Sequence, residues 1–195
     1  MCKNISELSR LNIKFLISCV SNDTVLQCQD NIINQVDGII ILTLPYNDNI
    51  LQNLWQKNDD KIDVRKYAKN MDDLILVDGL TKLYKNKPLI DIGYHFMKLA
   101  IKSGQNVLIH CMAGISRSVS IISYYFMKEY HMSFADSLQH IRSNRSIVGP
   151  NMSFRTQLSK YQDIRDKYTS DNSAHIIEFF ENKSRDKPWR IGWQK

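Results

Sequence analysis

The alternation of strand-like and helix-like segments predicts an α/β domain, a central mixed sheet flanked by helices. Two longer apolar runs and one short one supply the strands. Ile13 to Val20 and Gly38 to Leu44 (GIIILTL) have the composition of buried strands, the second stopped by Pro45. Asn106 to Ile109 is short and apolar and runs directly into His110 and Cys111, so it reads as a central strand.

The helices follow from periodicity and end signals. From Leu89 to Lys102, the residues Ile92, Phe96 and Leu99 fall on one helical face, with Pro88 at the start and Gly104 just past the end. Ser118 to Tyr130 carries Val119, Ile122 and Phe126 on one face. Ser133 to Arg142 opens with Ser133 as cap, has Asp136 three residues on, and turns Phe134, Leu138 and Ile141 inward. Met152 to Lys167 follows Pro150 and buries Phe154, Leu158 and Tyr161. Between the second and third strands, Gln56 to Lys87 is rich in Lys, Asn and Asp. It reads as an insertion with some structure of its own, including a short strand from Leu74 to Val77 before Asp78 and Gly79. The domain spans residues 1–168, and residues 169–195 form a tail that turns basic and aromatic at Lys187, Trp189, Arg190 and Trp193.

Composition narrows the class. A chain of 195 residues, 43% hydrophobic, fits one domain. The 26 Lys and Arg against 20 Asp and Glu give a net charge of +6, a tilt towards phosphoprotein, phospholipid headgroup or RNA that does not choose among them. No apolar run approaches the roughly 20 residues of a membrane span. Met1 to Arg10 lacks the basic-then-apolar order of a secretory signal, so the expectation is an intracellular, cytoplasmic protein, with nuclear or virion-associated locations left open. The cysteines Cys2, Cys19, Cys28 and Cys111 form no CxxC pair, which suggests neither a metal site nor a disulfide framework.

The chemistry concentrates in Val107 to Ser118, VLIHCMAGISRS, where an apolar strand ends at a cysteine and a helix begins near an arginine. Arg117 follows Cys111 by six positions, a span that can wrap a tetrahedral anion in inward-facing backbone N–H groups. Met112, Ala113, Gly114, Ile115 and Ser116 form that cradle, and Gly114 admits a backbone conformation a side chain would obstruct. A thiol at such a helix start loses its proton more readily, from a free value of roughly 8.5. Cys111 is then a thiolate competent to attack phosphorus, and Arg117 offers a planar fork for two phosphate oxygens. Neither a metal nor a cofactor is called for.

HCMAGISRS resembles the HCxxGxxRS signature of the dual-specificity phosphatases, a branch of the cysteine-based protein tyrosine phosphatases. A second segment, IRSNRSIVGPNMSFRTQL from Ile141 to Leu158, resembles that family's downstream Arg-containing helix, Pro-Asn and Phe-x-x-Gln-Leu. The resemblance runs from about Leu11 to Tyr168. It implies a protein tyrosine phosphatase-like fold and metal-independent hydrolysis of phosphotyrosine and phosphoserine or phosphothreonine through a cysteinyl-phosphate. It also implies roles: Cys111 as nucleophile, Arg117 as phosphate ligand, Ser118 assisting the departing thiolate, His110 orienting the loop and Asn151 supporting it.

The family takes the leaving-group proton from an Asp on a nearby loop. Two residues compete here. Asp48, in LPYNDNILQNLW, matches the family's loop pattern, whereas Asp78 stands at about the family's usual interval from Cys111. The flanking residues favour Asp48, with the insertion accounting for its greater separation.

Departures matter as well. Nothing upstream of Leu11 matches the family's Leu-Tyr-Leu-Gly strand, which leaves a sheet edge open to a partner or a second copy in a homodimer. The loop positions Met112, Ala113, Ile115 and Ser116 carry no charge, which favours phosphoprotein over highly charged lipid or triphosphate. RNA 5′-phosphatase is the alternative activity, supported by the basic balance and the aromatic tail. A catalytically idle phosphoprotein-binding module is the alternative class, against which the retained acid argues.

Overall fold

The computed structural model describes residues 5–20, 38–57, 64–66 and 84–170. In chain order they form α1 (Ile5–Arg10), β1 (Ile13–Val20), β2 (Ile40–Pro45), β3 (Val64–Lys66), α2 (Leu89–Lys102), β4 (Asn106–His110), α3 (Arg117–Glu129), α4 (Phe134–Asn144) and α5 (Met152–Ser170). The strands make one mixed sheet in the order β3-β2-β1-β4. β1 runs parallel to both β2 and β4, while β3 is antiparallel to β2.

Side chains alternate across a strand, so each strand serves two faces. Phe15, Ile17 and Cys19 of β1, Ile40, Leu42 and Leu44 of β2, and Ile109 of β4 enter the main core with the apolar faces of the helices. Leu16 points the other way, joining Leu8 of α1 and Ile39 in a small second cluster bordered by Ile13, Ile41 and Leu108.

The main core is built around α3. Its residues from Arg117 to Met127 are all buried, so the single apolar face expected from the sequence becomes a helix covered on every side. Small polar residues make that possible. The hydroxyl of Ser120 donates to the carbonyl of Ser116 (3.0 Å), which satisfies it inside the fold. On α2, a Cβ at Gly93 would fall 3.0 Å from Ile121 Cγ2 and 3.1 Å from Leu44 Cδ1, so glycine there lets α2 lie close against α3 and the sheet.

Ends follow their signals. Pro88 occupies the cap of α2, and Ser133 caps α4 by accepting from the N–H of Asp136 (3.0 Å). Asn151 does the same for α5, its Oδ1 accepting from the N–H of Phe154 (2.9 Å).

The sheet departs from the sequence reading at its edges. β4 is not central; it closes one end of the described sheet, and β1 and β2 hold the middle. The reason is in their lengths and faces: β1 has eight residues with apolar groups on both sides, whereas β4 has five, of which only Ile109 is buried. Pro45 is paired as the last residue of β2, opposite Val20. β3 lies inside the segment expected to be an insertion, where its basic sequence, Val-Arg-Lys, gives no strand pattern. α1 was also unforeseen, a single short turn that buries Leu8. The strand expected over Leu74 to Val77, Asp78 and the tail beyond residue 170 lie outside the described residues.

Candidate active site

β4 ends at His110, and the chain from Cys111 then loops back to enter α3 at Arg117. Cys111 is buried at the bottom of this loop. Burial alone would push its thiol up, but hydrogen bonds outweigh that: the Ser118 hydroxyl and the backbone N–H groups of Ser118, Ser116 and Gly114 hold it below the ordinary thiol value. Ser118 Oγ stands 3.3 Å from Sγ. Cys19, buried in β1 without that set of donors, has its thiol pushed strongly up by burial. Position in the core therefore does not activate a cysteine; the loop does.

The loop is turned inside out by contacts on its outer side. Gly114 has φ +65°, a left-handed conformation that glycine adopts without strain. The carbonyl of Ile115 accepts from the N–H of Gly149 (2.9 Å), and that of Ala113 accepts from Arg145 Nη2 (3.2 Å). With two carbonyls held outward, the amides face the sulfur. Met112 projects away, 74% exposed.

Arg117 lies buried in the first turn of α3. Its Nη1 donates to the carbonyl of Tyr46 (3.3 Å), and its buried Nε makes no hydrogen bond. That Nε lies 3.8 Å from Asp48 Oδ2. The other carboxylate oxygen, Asp48 Oδ1, accepts from Ser116 Oγ (2.7 Å) and from Asn151 Nδ2 (2.9 Å). Ser116 Oγ in turn accepts from the N–H of Asn151 (3.1 Å). Ser116 and Asn151 thus do more than line or support the loop: they tie the Asp48 carboxylate to it.

A further set of residues, not singled out from the sequence, fixes the segment bearing Asp48. Gln157 on α5 accepts from the N–H of Leu54 (2.8 Å) and donates to the carbonyl of Gln52 (2.8 Å). Gln52 accepts from the N–H of Asn47 (2.9 Å), and Tyr46, fully buried, donates its hydroxyl to the carbonyl of Leu54 (2.8 Å). The signal was present in the Phe-x-x-Gln-Leu segment, but its partners lie about a hundred positions away in the chain, at separations of 103 and 105. His110 is partly buried beside the loop, and burial chiefly lowers its pKa, which keeps it neutral. Among the described residues no three His, Cys, Asp or Glu side chains are grouped to hold a metal ion.

Amides converging on a stabilised sulfur, with a guanidinium at the same mouth, form the anion trap of the cysteine-based phosphatases, and comparison with known proteins places the chain inside that class. The profile of the dual specificity phosphatase catalytic domain matches residues 2–164. A protein of Acanthamoeba polyphaga mimivirus named as a tyrosine-protein phosphatase is 39% identical over 174 residues, 89% of this chain and 82% of its own length. The Slingshot homolog of Xenopus laevis is 44% identical over 69 residues, 35% of this chain and 10% of that protein. Among solved structures, the human tyrosine phosphatase-like serine/threonine/tyrosine-interacting protein shares the fold, with a TM-score of 0.61 at 21% identity over 85% of this chain and 86% of that one. The chain belongs to the dual specificity phosphatase family and is by that membership a protein phosphatase acting on phosphoproteins.

Proposed function

We propose that Cys111 is the nucleophile and Asp48 the general acid in hydrolysis of phosphotyrosine and of phosphoserine or phosphothreonine, through a cysteinyl-phosphate. The observation that carries the reading is the pair of hydrogen bonds on Asp48 Oδ1. Both donors engage that one oxygen, so a proton added to the carboxyl resides on Oδ2, the oxygen that lies 3.8 Å from Arg117 Nε. In the first step Sγ attacks phosphorus, the phosphorus–ester bond breaks, and Oδ2 gives its proton to the departing oxygen. Arg117 and the loop amides bind the equatorial oxygens as charge redistributes over them. In the second step the Asp48 carboxylate accepts a proton from the attacking water, and the phosphorus–sulfur bond breaks as the Ser118 hydroxyl donates to the leaving thiolate.

The uncharged side chains of Met112, Ala113, Ile115 and Ser116 support a phosphoprotein substrate over a triphosphate or polyphosphorylated lipid. The test is turnover, in the presence of a chelator, of an aryl phosphate and of phosphotyrosyl and phosphothreonyl peptides. Cys111→Ser is expected to abolish all three. Asp48→Asn is expected to lower turnover about 10²–10⁴-fold, most for poor leaving groups. Normal turnover in Asp48→Asn removes the assignment of the acid, and turnover of 5′-triphosphate RNA in preference to peptides removes the protein substrate.

A further inference from the structure

Beside the cradle the surface continues into an open groove of about 480 Å³. Its walls are the segment just after Asp48, with Ile50, Leu51 and Trp55, and the first half of α5, with Ser153, Lys160 and Tyr161. The two walls meet at the hydrogen bond between Asp48 and Asn151, which is also the border of the cradle. From that bond one chain segment leads to Ile50 and Leu51, and the other to Met152 and Ser153. Anything whose phosphate sits on the loop with its leaving oxygen at Asp48 therefore lies at the groove's entrance.

The lining is chemically selective. Trp55 and Tyr161 stack at a tilt with centroids 6.0 Å apart, closing the groove with aromatic surface. Ile50 and Leu51 are 74% and 88% exposed and Met152 is 72% exposed, a concentration of bare apolar side chains at one place beside a polar site. Lys160 is the single charged side chain among the described residues of the lining. A nucleic acid strand is held chiefly by neutralising several phosphates, which one lysine cannot do. An extended peptide advances about 3.3 Å per residue, so residues flanking the phosphorylated one pass over Ile50 and Leu51.

We propose that this groove is a specificity subsite that takes an apolar side chain of the phosphoprotein substrate, close in sequence to the phosphorylated residue. The inference rests on the catalytic reading above, and the experiment separates the two. Phosphopeptides carrying one leucine or phenylalanine, stepped through the positions on either side of the phosphorylated residue in a serine and alanine background, are compared with a small aryl phosphate. Burial of one such side chain predicts a kcat/KM about tenfold or more above the background peptide at one favoured position.

Leu51→Ser removes part of the wall, and Lys160→Trp fills the groove from α5. Both positions are exposed, so neither change disturbs the core. Each variant is expected to erase the preference for the apolar position while turning over the aryl phosphate at the parent rate. A flat peptide profile in the parent protein, with aryl phosphate turnover intact, overturns the subsite and leaves the catalytic reading standing. Loss of aryl phosphate turnover from the parent protein removes both. A change in the protein's mass in solution, without any change in peptide preference, assigns the groove to a second copy of the chain and overturns the subsite.

Discussion

The two faces of the sheet are unequally built. One carries the main core, with α3 sealed inside it and every loop of the site hydrogen-bonded to a neighbouring element. Among the described residues, the other carries Leu8, Leu16 and Ile39 under a six-residue helix. The loop from Cys111 to Arg117 belongs to the first face, since β4 delivers Ile109 into that core and α3 leaves from it. A site that must hold several dipoles within fractions of an ångström is anchored where packing is densest. Among the described residues, the thin face is apolar and contributes none of the side chains gathered around Cys111.

Substitutions on the two faces should separate these roles. The largest effect is expected from Phe154→Ala, because Phe154 is fully buried in the first turn of α5 and packs edge-on against Tyr46. Its loss should cost about 3–5 kcal/mol in denaturant unfolding and lower turnover as well, since the Asp48 segment hangs from Tyr46. Leu16→Ala, on the thin face, should cost about 2–3 kcal/mol and leave kcat unchanged in the folded fraction. A fall in kcat there would break the division between the faces.

A smaller and more specific effect is expected from Gln157→Ala. It removes the two hydrogen bonds by which Gln157 holds the segment that follows Asp48, worth about 1–3 kcal/mol with partly buried partners left unpaired. Turnover of a substrate with a poor leaving group should fall more than turnover of one with an activated leaving group. An equal fall on both would mean that Gln157 acts on the fold and not through Asp48.

The smallest effect lies in acid. Burial pushes the carboxyls of Asp91 and Glu129 up, but hydrogen bonds from Lys128 and Tyr124 to the first, and from Lys98 and Tyr94 to the second, outweigh it and hold both below their ordinary values. Lowered carboxyl pKa values give stability that is complete above the ordinary values of 3.8 and 4.5 and is lost as pH falls through the folded ones. Thermal unfolding from pH 6 downward should show this loss, and it should be reduced in Asp91→Asn. Because these groups pair α2 with α3 on the core face, their protonation should loosen that face before the thin one.

The four longer helices were legible because each announces itself locally, whereas the six-residue α1 did not. Periodicity and end residues placed α2 at its observed limits and α4 with its serine cap, since those signals act within a few residues. The sheet order was less legible. Asn106 to Ile109 reads as a central strand from its apolarity, yet neighbours in a parallel sheet are chosen by crossovers and burial on both faces, which so short a segment does not record. β3 was hidden for a related reason, since an antiparallel edge strand needs only a free row of backbone groups beside it and no apolar pattern of its own.

By itself the sequence determined the cradle, because HCMAGISRS sets the sulfur, the glycine, the serine and the arginine at spacings over which a single loop and helix start dictate their geometry. Only the tertiary structure decided how a carboxylate comes to face that cradle and which of its oxygens is held. Asp48 stands 68 positions from Ser116 and 103 from Asn151, and the bonds among them form only after the sheet and α5 have closed on the same core. Interactions between such distant segments depend on the packing of everything between them, which no local pattern encodes.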